Sequence, residues 1–489
     1  MAHTMNTDFP DPQPTLNRRD LFSWVQMGLG SAALATLLAE DGVVQGAPAA
    51  GGTRGSPPHH AVRAKRVINI ILSGGLSQVE SFDSKPQLDK HHGKPPSNTE
   101  GVQVSSGNIG LLRKSDFRFR QYGDSGLWIS DLFPHLGTVA DELTVIRSMV
   151  SDTPSHTPAA FQQNTGFPLN GFPTMGSWIS YGLGSESDDL PTYVVIPDIR
   201  GMPSGGAIHW TNGFLPTEHQ GVTFRTTGSP IDNLMPSRTI AAETEQASRD
   251  YLAVLNRRHL RARGGSDPLA ARVRSYELAA KMQLAVPVVA DLNRETALTH
   301  SMYGLDETET ADFGRGCLLA RRLLERGVRF IQLYSGASVT INHTNWDGHV
   351  DNAKDHARES KRIDRPVAAL LRDLRQRGML DDTLVLFTTE FGRTPFTQSG
   401  SNVLGIGRDH NQYAFSVWLA GAGLRRGMVY GATDDFGMKA VENIVPWYDF
   451  HATVLHLLGI DHERLSYYHN GILRRLTNVH GHVIDGILA

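Results

Sequence analysis

Cysteine is almost missing from this chain of 489 residues, in which Cys317 stands alone. An intrachain disulfide is therefore excluded, and so is a cage of thiolates around a metal. Any metal must be held by oxygen and nitrogen. Neither sign of charge dominates. Lys and Arg number 47 against 50 Asp and Glu, a formal net charge of −3, which gives no electrostatic reason to expect nucleic acid or an anionic membrane as partner. Long apolar runs are lacking as well. The moderately apolar segment from Val25 to Ala39 is about fifteen residues, short of the ~20 a membrane helix needs, so no stable membrane span is expected. What is present is ordinary for a soluble globular protein: 40% hydrophobic and 20% charged residues. The length suits one large α/β domain with insertions, or two or three smaller domains.

The N-terminus reads as an address. Arg18 and Arg19 precede the Val25–Ala39 segment, which has the length of a signal h-region, and the pair resembles the twin-arginine export motif, with Asp20 and Leu21 departing from its usual continuation. A small-residue stretch at Ala47-Pro48-Ala49-Ala50 offers a cleavage site. The alternative is an uncleaved amphipathic helix. Residues 1–50 are thus expected to be a twin-arginine-type signal peptide, 51–64 a linker rich in Gly, Pro, His and Arg, and 65–489 the folded domain. Export by this route needs the twin-arginine translocase as a transient partner and delivers the protein to the periplasm or the outside. One cysteine is compatible with that destination.

Along the folded part, strand-length runs of β-branched and aromatic residues alternate with helical patterns, which predicts an α/β architecture. Strands are expected at Arg66–Leu72, Leu143–Ile146, Thr192–Ile196, Val328–Tyr334, Thr383–Thr389 and Ala414–Ala420. Helices are expected from His156 toward Gln163, over 241–284, Thr308–Gly327, Ile363–Gly378 and Trp447–Leu458. The basic run Asn256 to Arg263 reads as a solvated helix face, and Cys317 as a small core residue of its helix.

Polar clusters recur beside these strands. They are Ser73 to Asp83, Asp152 to Thr157, His343 to Asp351, Glu390 to Arg393 and Arg408 to His410. At least three lie just past predicted strand ends, where open α/β sheets bind ligands. The densest, His343-Thr344-Asn345-Trp346-Asp347-Gly348-His349-Val350-Asp351, holds two imidazoles and two carboxylates within nine residues. That donor set suits a divalent cation such as zinc, manganese, magnesium or calcium. With 21 histidines in the chain, a polar surface loop that happens to carry two is the plain alternative. The hydroxyls and imidazole at Ser155, His156 and Thr157 could supply a nucleophile or an anion site, or equally cap a helix. Glu390 ends a strand with Arg393 three residues on, which suits either a metal and an anionic ligand or a simple ion pair.

Four separated motifs also carry a resemblance. Leu72-Ser73-Gly74-Gly75 with Ser77-Gln78 and Phe82-Asp83, then Asn345-Trp346-Asp347 with His349, Glu390-Phe391-Gly392-Arg393-Thr394-Pro395, and Gly407-Arg408-Asp409-His410 resemble the exported "domain of unknown function 1501" family. That family belongs to the sulfatase-like branch of the alkaline phosphatase superfamily. The resemblance implies a three-layer α/β/α sandwich around a mostly parallel sheet, with a metal site at the C-terminal edge of the strands. It implies metal ligands among Asp347, His349, Glu390, Asp409 and His410. A hydrolase of this kind would use His156 as acid/base or Thr157 as nucleophile, with Arg393 or Arg408 holding the anionic oxygens and Ser73 beside the substrate.

Three departures bear on that expectation. The superfamily carboxylate after the first strand is replaced by Ser73-Gly74-Gly75, with Asp83 as a candidate substitute. Phe391 stands where a histidine usually follows the late-strand carboxylate. Cys317-Leu318-Leu319-Ala320-Arg321 has Leu319 where a formylglycine motif needs Pro or Ala, which rules out formylglycine chemistry. Two functions follow as expectations. One is an exported metal-dependent hydrolase of phosphate or sulfate esters, acting on a small-molecule or polysaccharide anionic ester. The other is a non-catalytic exported binding or envelope protein that keeps the fold and a structural metal.

Overall fold

A computed structural model of the chain describes residues 57–489 apart from 98, 100, 106, 235–240, 263–266 and 339–343. The proposed signal segment and His343 lie outside the described residues. Backbone contacts divide the chain into a large unit, Ala47–Pro230 with Ser266–Ala489, and a small one that includes Ile231–Gly265.

The large unit is organised on a nine-stranded sheet. Its strands are β1 (Arg66–Leu72), β2 (Leu143–Val150), β3 (Tyr193–Ile196), β4 (Val222–Thr223), β5 (Phe330–Ser335) and β6 (Thr383–Thr389). A separate antiparallel hairpin follows, β7 (Gly392–Thr397) with β8 (Arg408–Asn411). The sheet then resumes with β9 (Phe415–Gly421), β10 (Met428–Tyr430) and β11 (Val445–Pro446). The order is β10-β2-β9-β6-β1-β5-β3-β4, with β11 also on β2. Only β9 runs against its neighbours β2 and β6; the other pairings are parallel. The sheet is thus mostly parallel, as expected.

β1 sits between β5 and β6, and helices pack on both faces of the sheet, so it is enclosed on every side. That is why its sequence is a nearly unbroken apolar run rather than an alternating one. Val67, Ile68, Ile70, Ile71 and Leu72 are all buried, each contributing about 1.5–3 kcal/mol relative to exposure. Among the described residues, the helices of nine or more residues in this unit are α1 (His156–Thr165), α2 (Met175–Leu183), α4 (Asp267–Ala290), α5 (Thr308–Glu325), α6 (Asn352–Gln376) and α7 (Trp447–Leu457), while α3 (Ala242–Ala262) belongs to the small unit. Helices lie on both faces of the sheet. Gly176 of α2 meets Phe330 on one face of β5, and Gly316 of α5 meets Leu333 on the other. Trp447, Phe450 and Val454 of α7 join the core on the α2 side.

A polar row on the α2 side of the sheet anchors α1. Thr388 Oγ1 donates to Asn69 Oδ1 (2.9 Å) and accepts from Gln163 Nε2 (2.9 Å). Gln332, in register with Asn69, donates to Asn164 Oδ1 (2.5 Å). Buried polar groups must be paired to be tolerated. Here the pairing fixes the last turn of α1, and through the helix the position of His156 at its start.

Several boundaries differ from the sequence reading. α6 begins at Asn352, eleven residues before the expected Ile363. Asp351 caps it, accepting from Lys354 N (3.0 Å). Its first half reads as solvated surface because it is so polar, yet Asp355, His356 and Glu359 are buried, with Glu359 paired to Arg200 (2.7 Å) and Arg358 (3.0 Å). The helical region expected over 241–284 is two helices, α3 and α4. In α3, Arg257, Arg258 and Arg261 are exposed, as a solvated face requires. Cys317 is fully buried, and burial pushes its thiol pKa well up. No helix among the described residues is long and apolar enough to cross a membrane.

Candidate metal centre

The C-terminal ends of β1, β2, β5 and β6 share one edge, and the chemistry-bearing residues leave from it. The chain after β2 turns and starts α1 with His156. Asp347 and His349 lie in the loop between β5 and α6. Glu390 directly follows β6, and His410 lies on β8, where the register shifts between Arg408 and His410. Such a bulge re-aims a side chain.

The loop after β1 makes this convergence possible. Gly74 has φ +115°, and a Cβ there would stand 2.6 Å from Asp347 N and 2.8 Å from Trp346 N. Only glycine lets the two loops touch. Gly74 N donates to Glu390 Oε1 (2.8 Å) and Trp346 N to Ser73 O (3.0 Å). His356 is fully buried and accepts from Ser77 N (2.9 Å), and burial lowers its pKa to about 3. It is a neutral structural clamp on the same loop.

One atom each from His156, Asp347, His349 and His410 falls within 4.8 Å of the others. Asp347 Oδ1 is 3.3 Å from His156 Nε2, 2.9 Å from His349 Nε2 and 3.4 Å from His410 Nε2. The Nε2 atoms of His349 and His410 are 2.8 Å apart. Every Nδ1 is engaged on the far side. His156 Nδ1 is 2.9 Å from Glu390 Oε1, His410 Nδ1 is 2.5 Å from Pro154 O, and His349 Nδ1 meets Gln398 Oε1. Acceptors at Nδ1 place the proton there and leave Nε2 bare. His156 Nε2 is buried with no hydrogen-bond partner among the described residues. In a tetrahedral site with metal–ligand bonds of about 2.0–2.1 Å, ligand atoms stand about 3.3 Å apart. The residues present therefore fit a metal held by three imidazoles and a carboxylate.

The electrostatics agree. Burial works against ionisation of Asp347, but Arg393 and the three imidazoles outweigh it and hold the carboxyl far below its usual range. Arg393 is fully buried and donates to Asp347 Oδ1 (2.5 Å) and Gly75 O (3.1 Å). Burial opposes protonation of His156, yet the carboxylates of Asp347 and Glu390 on either side prevail and raise its pKa. Burial lowers that of His410.

Of the residues singled out in the sequence, Asp347, His349 and His410 come together, and His156, expected as acid/base, is the fourth member of the group. Glu390, expected as a ligand, lies behind His156 on its Nδ1. Asp409 is not in the group; its Oδ1 accepts from Ser105 N (3.2 Å) and His410 N (2.7 Å). Arg408, expected on the substrate, is fully buried with its donors on Glu80 (2.7 Å), Thr394 O (3.0 Å), Arg113 O (3.0 Å) and Lys114 O (3.2 Å). A guanidinium out of water needs all of these partners, so the strand that looked like an anion clamp is a structural pin. Asp83 does not replace the missing carboxylate, because it pairs with Lys85 (3.1 Å) and Thr433. Ser73 lines a cleft beside the group, and Thr157 is half-buried as the second residue of α1. Gln398 was missed: it stands alone in sequence, and no local pattern marks it.

A mostly parallel sheet, helices on both faces and a His/Asp cluster at the strands' C-terminal edge define an α/β protein with a candidate metal site. The family model described as "Protein of unknown function (DUF1501)" matches residues 64–488, and the chain belongs to that family. No curated protein matches. Among solved structures, the chain is similar to the lipoteichoic acid synthase LtaP from Listeria monocytogenes, at 9% identity and TM-score 0.37, covering 86% of this chain and 78% of that one. It is similar to the PsFucS1 sulfatase from Pseudoalteromonas sp., at 13% identity and TM-score 0.35, covering 82% and 68%. A protein in the alkaline phosphatase superfamily from Vibrio parahaemolyticus gives 12% identity and TM-score 0.35, covering 84% and 70%.

Proposed function

We propose that this chain is an exported, metal-dependent hydrolase of phosphate or sulfate esters that works without formylglycine. The observation that carries the reading is the convergence of three bare Nε2 atoms on Asp347 Oδ1, each imidazole held from behind at Nδ1. His156, Asp347, His349 and His410 would hold the cation. Three nitrogens and one carboxylate favour a borderline ion such as zinc over calcium, magnesium or manganese, which prefer oxygen ligands. When bound, such an ion polarises an ester oxygen and lowers the pKa of water. Glu390 orients His156 and keeps its proton on Nδ1. Arg393 holds Asp347 in place and balances its charge. Thr157, beside His156 in the first turn of α1, is the candidate nucleophile. Arg18, Arg19 and the Val25–Ala39 segment support export through the twin-arginine translocase to the periplasm or beyond.

The deciding experiment is metal analysis of the purified protein, followed by a screen of phosphate and sulfate esters with and without chelator. Chelator-sensitive turnover of an ester is the expected result. A protein that retains no metal overturns the reading; bound metal with no turnover of any ester would make it a binding protein.

A further inference from the structure

Behind His156 and Glu390 the protein has a narrow cleft, also lined by Ser73, Gln163, His209 and Tyr334. Its free space is that of about one water molecule or hydroxyl group. Gln163, His209 and Tyr334 are each at most 2% exposed. Gln163 Oε1 and His209 Nδ1 have no hydrogen-bond partner among the described residues. The Asn164 side chain stands close enough to the Tyr334 hydroxyl to give it a weak hydrogen bond, but the tyrosine's own O–H meets no acceptor among the described residues. Two unpaired acceptors and one unspent O–H around one small space are costly unless something pairs with them.

Their chemistry defines what that is. Gln163 spends its Nε2 on Thr388, so the free Oε1 accepts. His209 Nε2 faces the Ser204 carbonyl and must carry the proton, so its Nδ1 also accepts; burial lowers its pKa and keeps the ring neutral. Tyr334 can donate. No lysine or arginine is among the lining residues, and Glu390 adds a carboxylate. An anionic group is repelled here. A group with an O–H to give and a lone pair to accept is complementary.

We infer that this cleft is a subsite for an uncharged hydroxyl group, such as the hydroxymethyl arm of a polyol, donating to Gln163 or His209 and accepting from Tyr334. The inference deepens the hydrolase reading: the charged end of the ester would sit at the metal cluster while a neighbouring hydroxyl enters the cleft. Substrates would then be esters of polyhydroxy compounds rather than of simple alkanols.

The test uses the full chain, loaded with metal, and follows the His209 imidazole signal by NMR during titration with glycerol, with 1,2-dimethoxyethane as the control lacking O–H groups. A saturable shift with glycerol only, weakened at least fivefold in Tyr334→Phe, is expected. No saturable shift, or an equal response in Tyr334→Phe, overturns the subsite. A response to added zinc or magnesium but not to glycerol would also overturn it, making the cleft a cation site. Glycerol 1-phosphate and propyl phosphate are compared in parallel. If neither ester binds, the hydrolase reading fails while the glycerol result still decides the cleft.

Discussion

His156 and Glu390 form a carboxylate–imidazole pair: Nδ1 lies 2.9 Å from Oε1, and the opposite nitrogen, Nε2, is turned to Asp347 Oδ1 at 3.3 Å. The two residues are 234 positions apart in sequence, and each arrives from the C-terminal end of its own strand. Glu390 therefore acts through His156. Gly74 N–H, donating to the same Oε1, ties the carboxylate to the loop after β1.

The pair predicts the outcome of Glu390→Gln. The amide keeps the shape but loses the charge that raises the basicity of His156. Metal affinity should fall about 10–100-fold, as for other carboxylates behind metal-bound histidines. Excess metal should restore most of the activity. Metal titration checks this; an unchanged affinity with a lower melting temperature would mean Glu390 is purely structural.

Gly74→Ala tests the close approach of the two loops. Backbone strain at φ +115° costs about 1–3 kcal/mol, and the new methyl group must push Trp346 and Asp347 away. Loss of stability and weakened metal binding are expected together. Gly93 has φ +78° and nothing within 4 Å of its would-be Cβ. Gly93→Ala should thus cost only the conformational strain and leave metal binding alone. Equal metal affinity in both variants would refute the positioning role of Gly74.

Acid should destabilise the metal-free protein through two histidines remote from the cluster. Burial lowers the pKa of His219 and of His451 to about 4, against about 6.5 for an unfolded histidine. Between these values the unfolded chain binds more protons than the native one, so the stability these groups give is complete above about pH 6.5 and drains away as pH falls toward 4. Each is worth about 1–3 kcal/mol over that window. Denaturation curves at stepped pH in chelator should show the decline, with a shallower slope for His451→Gln. A flat profile from pH 6.5 to 4.5 would contradict it.

Export depends on the paired arginines if the N-terminal reading holds. Arg18→Lys with Arg19→Lys should leave the precursor in the cytoplasm, as cell fractionation would show. Unchanged export of that double variant would rule out the twin-arginine route.

Periodicity in the sequence marked the elements well where one force dominates. Arg66–Leu72 and Thr383–Thr389 are apolar because they are central strands covered on both faces, and α5 shows its buried stripe. It failed at the start of α6, where polar contacts rather than apolar ones bury the helix: Glu359 looks like a surface residue until Arg200 comes to it, and His356 until Ser77 N–H does. No local pattern encodes a partner 159 residues away.

The candidate site divides the same way. Residue type and position after a strand marked Asp347 and His349 as donors for a hard or borderline cation, since those properties are local, while His410 was marked by the family resemblance. Which atoms meet was decided by the tertiary structure alone. The strand order puts β2 and β6 on opposite sides of β9 and brings His156 and Glu390 to one edge; the positive φ of Gly74 lets the Asp347 loop close on them; and the bulge in β8 turns His410 inward while Arg408 is spent on Glu80. The side chains of Glu390, Asp409 and Arg408 have the same donor and acceptor chemistry whether they face a metal, a substrate or a neighbour. Distance selects among those partners, and distance is set by the packing of the whole sheet.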